Sequence, residues 1–180
     1  AVPGLPAALA YMALNYGNLP LAESLSPAIL LARGGFEIGP RYRRMATFRA
    51  ESFADYPEGA SIFLKDGVPP PVGHKIVQED LAKTLESIGS DHAESFYKGT
   101  LASKMVEGVR NRGGIWTMED LAKYTVKKRD PLISEYHGIK VISAPPPSSG
   151  GMVLIQALNI LEPYPLRSFS SVDRKHIVIE

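Results

Sequence analysis

Cysteine is missing from this sequence, and so are several motifs that commonly mark active sites. With no cysteine among 180 residues, a disulfide framework, a thiol nucleophile and a thiolate metal site are excluded. The net charge is only +1, so the chain as a whole carries no strong field for nucleic acid or an acidic membrane. No apolar run reaches the ~18 residues of a membrane-spanning helix. The G-x-x-x-x-G-K-[ST], G-x-G-x-x-G, G-x-S-x-G and H-E-x-x-H motifs are also absent.

The residues that are present are typical of a globular protein. Hydrophobic residues make up 44% and charged residues 22% of the chain, close to ordinary usage. Apolar residues recur at helical spacing over most of the first 125 positions, and short β-like runs follow. The pattern therefore predicts a helix-rich α+β fold. Helices are predicted over residues 6–16, 28–33, 41–56, 78–89, 94–97, 100–112, 117–124 and 152–161, with another beginning at 172.

Some of these helices carry specific expectations. Ser26 is predicted to cap the second helix, with Pro27 in its first turn. Thr117 is predicted to cap the short helix that follows it. Residues 41–56 are predicted to form one arginine-rich amphipathic helix. Its inward-facing apolar residues are expected to be Met45, Phe48 and Phe53.

A β-hairpin and an unusual proline-rich segment lie near the end of the chain. The runs 132–136 and 139–143 are separated by His137-Gly138, the length of a two-residue hairpin turn. Residues 145–151 read PPPSSGG and precede the apolar helix. Backbone N–H groups at that helix start are suited to hold an anion or a carboxylate. Spacing alone favours an architectural interpretation, in which prolines end the strand, Ser149 caps the helix and the glycines allow close packing.

Histidines and basic clusters are further candidates for chemistry. No histidine stands beside a carboxylate at metal-ligand spacing, so surface or turn positions are predicted for His74, His92, His137 and His176. The two basic clusters have acidic residues nearby, which favours solvated helix faces over contacts with nucleic acid or an anionic surface. The clusters are Arg41, Arg43 and Arg44, and Lys123, Lys127, Lys128 and Arg129.

Three segments carry distinctive motifs in consecutive order. They are GGIWTMEDLAKY at 113–124, YHG at 136–138 and PPPSSGG at 145–151. Shorter matches, such as Pro3-Gly4 and FYKG at 96–99, stand in order along the rest of the chain. In this order the whole chain resembles the middle of the large subunit of the γ-glutamyltranspeptidase family.

The resemblance implies a fold and an activity. Such proteins are N-terminal-nucleophile hydrolases with a four-layer αββα fold, and the precursor cuts itself into a large and a small subunit. The new N-terminal threonine of the small subunit attacks the γ-glutamyl amide of glutathione or a related compound. Water, an amino acid or a dipeptide then accepts the acyl group. The family needs no metal or organic cofactor, and the resemblance favours a periplasmic or secreted location.

The same resemblance implies that residues 1–180 form one incomplete domain without catalytic residues. The family's glutamate-binding arginine lies upstream of Ala1, and the nucleophilic threonine lies downstream of Glu180. The chain alone is therefore expected to be inactive, since its internal threonines match no processing motif. These threonines are Thr84, Thr100, Thr117 and Thr125. The expected partners are a γ-glutamyl substrate and the small subunit of the same precursor, and the candidates for a wall of the substrate cleft are Ser148, Ser149, Gly150 and Gly151.

Two other functions remain open at this point. One is an acylase of the same superfamily, of the cephalosporin or glutaryl type, because most substrate contacts lie outside this segment. The other is a non-catalytic structural or binding module. In each case the helix at 152–161 has too few polar positions for a solvent-facing side. We therefore expect this chain to expose apolar surface.

Overall fold

The computed structural model describes residues 1–179, and the side chains of residues 1–175. The chain divides into two compact units, Ala1–Val126 and Lys127–Glu180. We refer to them as the first and the second unit. That residues 1–180 belong to one incomplete domain stays a prediction.

The first unit is almost entirely helical. A short antiparallel strand pair, with Phe36 opposite Ile76, is the exception that sequence reasoning missed. Two residues per strand are too few for an alternating pattern to show in the sequence. The elements are α1 (Leu5–Tyr16), α2 (Leu21–Gly34), β1 (Phe36–Glu37), α3 (Pro40–Phe48), α4 (Ala50–Ala54), α5 (Pro57–Phe63), β2 (Lys75–Ile76), α6 (Glu79–Asp91), α7 (Glu94–Lys98), α8 (Thr100–Asn111) and α9 (Met118–Ala122).

The core of the first unit combines larger apolar side chains with several alanines that let helices approach closely. Ala82 and Ala102 are fully buried, as is Leu121. A Cβ on Gly89 of α6 would lie only 3.0 Å from the Cα of Ala22 in α2. The helices α2 and α6 thus pack with their backbones nearly in contact, which maximises dispersion contacts. The core cluster comprises Ala10, Leu21, Ile88, Ala93, Tyr97, Ala102, Val106 and Leu121.

The second helix is longer than the local signals predict. It begins at Leu21 after Pro20, so Ser26 and Pro27 lie inside it and Ser26 is not its cap. A proline inside a helix removes one hydrogen bond and costs about 3 kcal/mol in isolation. Packing of α2 along α6 outweighs that local preference, because most helical stability comes from tertiary contacts.

The segment predicted as one helix over 41–56 is interrupted at Arg49, which lies between α3 and α4. The predicted inner face is also wrong for two residues, since Met45 is 51% and Phe48 76% exposed. Ala46 is the buried residue of α3. Phe53 is half-buried and lies 5.3 Å from Phe63, ring centroid to centroid.

The second unit is a hairpin with helices. Strands β3 (Leu132–Tyr136) and β4 (Ile139–Ser143) pair antiparallel, with Ile133 opposite Ile142. The predicted two-residue turn is confirmed, and both of its residues have positive φ, 47° at His137 and 78° at Gly138. The helices are α10 (Gly150–Leu161), which contacts both strands, and α11 (Ser171–Ile179).

Apolar side chains of the second unit are largely exposed, as expected from the composition of α10. Val153 is 60% and Ile160 68% exposed, and Ile133 and Ile142 are exposed on one face of the hairpin. Among the side chains described for residues 127–175, no hydrophobic one is buried. A two-stranded hairpin is marginal without further packing. The described part of this unit therefore has a defined fold with little core of its own.

Candidate functional site at the start of helix α10

The segment between β4 and α10 forms a tight, exposed turn. The peptide bond joining Pro146 to Pro147 is cis. The amide of Ser148 donates a hydrogen bond to the carbonyl of Pro145, 3.2 Å away. Ser148 and Ser149 are both exposed. The three prolines thus bring the chain directly from the end of the strand to the first turn of the helix.

Ser149 occupies the N-cap position, but its hydroxyl makes no capping hydrogen bond. The prediction that its side chain caps the helix is therefore wrong. Its backbone is already helical, with φ −75° and ψ −22°, whereas a side-chain cap normally needs an extended residue. The carbonyl of Ser149 instead accepts from the amide of Val153 at 3.0 Å.

The first amides of α10 are consequently available as donors. Among the residues that the structure describes, the amides of Gly150, Gly151 and Met152 have no acceptor. Unsatisfied amides and the helix dipole together favour a negatively charged group at such an end. The segment 144–151 carries no ionisable side chain, so it can orient a polar group but cannot supply an acid or a base.

The two glycines of this turn have different roles. A Cβ on Gly151 would collide with the carbonyl oxygen of Ala144 and lie 3.0 Å from Ser143 Oγ. Gly151 is buried, and its missing side chain lets α10 begin directly against the end of β4. This close approach confirms that part of the architectural interpretation. The nearest atom to a Cβ on Gly150 is Ser148 Oγ at 3.8 Å, so Gly150 is open.

The histidines are not brought together. The carbonyl of His74 accepts from Ile38 at 3.0 Å, and His92 ends α6 with a positive φ of 53°. His137 lies in the hairpin turn, and the side chain of His176 lies outside the described residues. Within the described chain, no group of three or more histidine, aspartate or glutamate residues is placed to hold a metal ion.

The basic clusters differ from each other in their partners. Lys123 Nζ lies 2.5 Å from Glu119 Oε1 at the end of α9. The predicted helix face is wrong for the other three residues of this cluster, because Lys127, Lys128 and Arg129 follow the end of α9 and lie outside the helices. Arg41, Arg43 and Arg44 lie on α3 and contact no carboxylate among the described residues. No helix within residues 1–179 has the length and apolar character needed to cross a membrane.

Thr117 has a structural role, as predicted. Asp120 N–H donates to its Oγ1 at 3.2 Å, and Thr117 N–H donates to Asp120 Oδ2 at 2.8 Å. These reciprocal bonds form a capping box at α9. The Thr117 hydroxyl, which also donates to that carboxylate, is the main cause that lowers the pKa of Asp120.

Sequence reasoning missed a cavity of about 450 Å³ in the second unit, beside the hairpin turn. It joins residues of the YHG motif to Arg167 and its neighbours, some 30 positions further along. No local sequence signal connects these two segments.

Comparisons with known proteins find related sequences and structures that match nearly the whole chain. The family model described as Gamma-glutamyltranspeptidase matches residues 1–180. A glutathione hydrolase proenzyme of Escherichia coli (strain K12) is 38% identical over 99% of this chain, which spans 31% of that protein. An acylase ACY 1 proenzyme of Pseudomonas sp. (strain SE83) is 37% identical, and the chain spans 33% of it. The crystal structure of Helicobacter pylori γ-glutamyltranspeptidase matches with a TM-score of 0.93 at 38% identity, over 99% of this chain and 52% of that one.

Proposed function

The chain belongs to the γ-glutamyltranspeptidase family, and we propose that the protein containing it hydrolyses or transfers γ-glutamyl groups of glutathione and related amides. The observation that carries this proposal is the match over all 180 residues, together with the 38% identity to a glutathione hydrolase proenzyme. Because the chain spans about a third of the curated relatives, it supplies part of the enzyme.

Within that enzyme the chain acts as scaffold. It carries no cysteine, and Thr117 is engaged in a capping box. The family resemblance implies that the nucleophile is a threonine outside these residues. Two relatives that match the chain are proenzymes by name, which supports cleavage of a precursor into a large and a small subunit.

Residues 144–151 form a wall of the substrate cleft in this proposal. The exposed hydroxyls of Ser148 and Ser149 and the donor amides at the start of α10 support this placement. Gly150 leaves room for a polar group to approach the backbone. Exposed apolar residues of α10, and Ile133 and Ile142 on one face of the hairpin, provide a surface for the rest of the precursor.

An acylase of the same superfamily is the second candidate. The acylase ACY 1 proenzyme is nearly as similar as the glutathione hydrolase, at 37% against 38% identity. Both covered segments lie in proteins about three times as long as this chain. Substrate preference therefore depends on residues beyond those described here.

The test begins with the DNA that follows codon 180. We expect an open frame encoding a Thr-Thr-His-like processing site, and an encoded protein that cleaves itself and turns over a γ-glutamyl anilide at neutral pH. Replacing the first threonine of the new subunit with alanine should abolish both reactions, whereas Thr84→Ala in α6 should leave both intact. Turnover of a glutaryl or cephalosporin amide in preference to the γ-glutamyl anilide would favour the acylase, and an immediate stop codon would favour a non-catalytic module.

The cleft-wall placement has its own experiment in that longer protein. Ser149→Cys labelled with a bulky maleimide should lower turnover strongly, because the label projects into the cleft. Ser24→Cys, labelled in the same way at exposed Ser24 of α2, is the matched control and should remain active. Equal activity of the two labelled proteins would place residues 144–151 away from the cleft.

A further inference from the structure

The cavity of about 450 Å³ beside the hairpin turn has the features of a ligand site. Its volume falls in the range of small-molecule pockets, about 300–1,000 Å³. Tyr136, His137 and Ile139 line one side, and Leu166, Arg167 and Ser168 line the other. Both sides belong to the second unit, so the site needs no residue of the first.

Hydrogen bonds hold both walls in place. On the hairpin side, the amide of His137 donates to both carboxylate oxygens of Glu162, at 3.1 and 3.2 Å. On the other side, the carbonyl of Pro165 accepts from the amide of Ser168 at 2.9 Å and from its hydroxyl at 2.8 Å. A site whose walls are already ordered loses less entropy when a ligand binds.

The charges in this cavity favour a single negative charge on the ligand. Arg167 is exposed and has no hydrogen bond or ion pair to any residue that the structure describes. A guanidinium presents several donors in a planar fork that matches a carboxylate. Arg167 is the only arginine or lysine in the described lining of the cavity, which matches one negative charge on the ligand.

Tyr136, Ile139, Pro165 and Leu166 make much of the rest of the lining apolar. The Tyr136 ring is half-buried and packs edge-on against the His137 ring at 4.3 Å, centroid to centroid. Ile139, which lines the cavity, is 63% exposed. Covering such side chains stabilises a complex by about 25 cal/mol per Å², so the ligand body that fits is apolar or aromatic.

From these observations we infer that the hairpin-turn cavity binds small organic monocarboxylates with an apolar or aromatic body, with the carboxylate on Arg167. The lining of this cavity shares no residue with the proposed cleft wall at 144–151. Its test uses binding alone, so its outcome is independent of the proposed enzyme activity.

The experiment follows backbone amide chemical shifts of the 180-residue chain during titration with phenylacetate. We expect saturable shifts at the hairpin turn and around Arg167, and weaker binding of neutral phenylacetamide and of inorganic phosphate. Arg167→Gln should weaken phenylacetate binding about tenfold, which corresponds to about 1.4 kcal/mol. The matched variant Arg129→Gln, which removes an exposed arginine of the same unit, should bind as the unchanged chain does.

Several results would overturn the inference. They are an absence of saturable shifts, equal binding of phenylacetamide, or an Arg167→Gln protein that binds phenylacetate normally. If Arg167→Gln loses its dispersed spectrum, Arg167→Lys decides, because it keeps the charge and must still bind phenylacetate more tightly than phenylacetamide. A chain without a dispersed spectrum would also contradict a site formed by these residues alone.

Discussion

The two units of this chain contrast in how they bury apolar surface. In the first unit, Ala82, Ala102 and Leu121 have no exposed surface. In the second, the described hydrophobic side chains all retain solvent contact, and Ile160 is 68% exposed. Both units nevertheless have well-formed secondary structure. Regular secondary structure therefore forms here without a buried hydrophobic core in the same unit, and we expect the second unit to depend on burial supplied from outside it.

The largest expected effect comes from shortening a core leucine. Leu121→Ala removes a fully buried side chain in α9 and should lower the free energy of unfolding by about 2–5 kcal/mol. Leu154→Ala makes the same chemical change in α10, where the leucine is 45% exposed, and should cost less than about 1 kcal/mol. Urea unfolding followed by circular dichroism measures both. Equal losses would show that the two units do not differ in core formation.

The second-largest expected effect tests the close contact between the start of α10 and the end of β4. Gly151→Ala places a methyl group against the Ala144 carbonyl and should destabilise the second unit by about 1–3 kcal/mol. Gly150→Ala meets no atom closer than 3.8 Å and should be nearly neutral. The effect of each substitution on the second unit is measured from the amide chemical shifts of β4 and α10. A neutral Gly151→Ala would mean that α10 does not begin so close to β4.

A smaller effect concerns the tyrosine that fixes the start of the chain. Tyr97 donates to the Pro3 carbonyl at 2.7 Å and accepts from the Ala7 amide at 3.2 Å. Tyr97→Phe should cost about 1–2 kcal/mol and speed hydrogen exchange at Ala7. Its stacked neighbour Tyr124 provides the control, because Tyr124→Phe keeps the ring and removes no recorded hydrogen bond. Equal effects on Ala7 would contradict the assigned bonds.

The smallest effect is an acid dependence in the first unit. The Arg33 guanidinium hydrogen bonds to Glu86 at 2.7 and 2.8 Å and lowers the pKa of that carboxyl. Since the folded pKa is depressed, the stabilisation is present above the unfolded value of about 4.3 and is lost as the pH falls through the folded value. Glu86→Gln should flatten the stability profile in this acidic range, and 1 M salt should weaken the dependence. The control is Glu94→Gln, at an exposed pair within one helix. An unchanged profile for Glu86→Gln would show that the Arg33 pair does not contribute.

Features that depend on neighbouring residues could be predicted from the sequence, whereas features that depend on tertiary packing could not. The hairpin turn at His137-Gly138 and the cap at Thr117 were predicted, because each depends on neighbouring residues. The predicted start of α2 was wrong, because packing on α6 outweighs the preference of Pro27 for the first turn of a helix. The prediction that Phe48 faces inward was also wrong, because the helix breaks at Arg49 and Phe48 is exposed.

In the candidate sites, too, features set by nearby residues could be predicted and features set by tertiary folding could not. Gly151 could be interpreted as a packing glycine from its motif, and the structure confirms this. The absence of a side-chain cap at Ser149 could not be predicted, because it depends on a backbone angle that the sequence does not specify. The cavity that joins His137 to Arg167 arises from tertiary folding, so no periodicity or motif could reveal it.

Native-state hydrogen exchange of the 180-residue chain tests the central contrast most directly. Amides in the middle of α6 and α8, around Ala82 and Ala102, should exchange slowest, because they open only with the buried core. Amides of β3, β4 and α10 should exchange much faster at every pH where the chain is folded. Equal protection in the two units would contradict the account, because it would show that the second unit is stable without burial from outside.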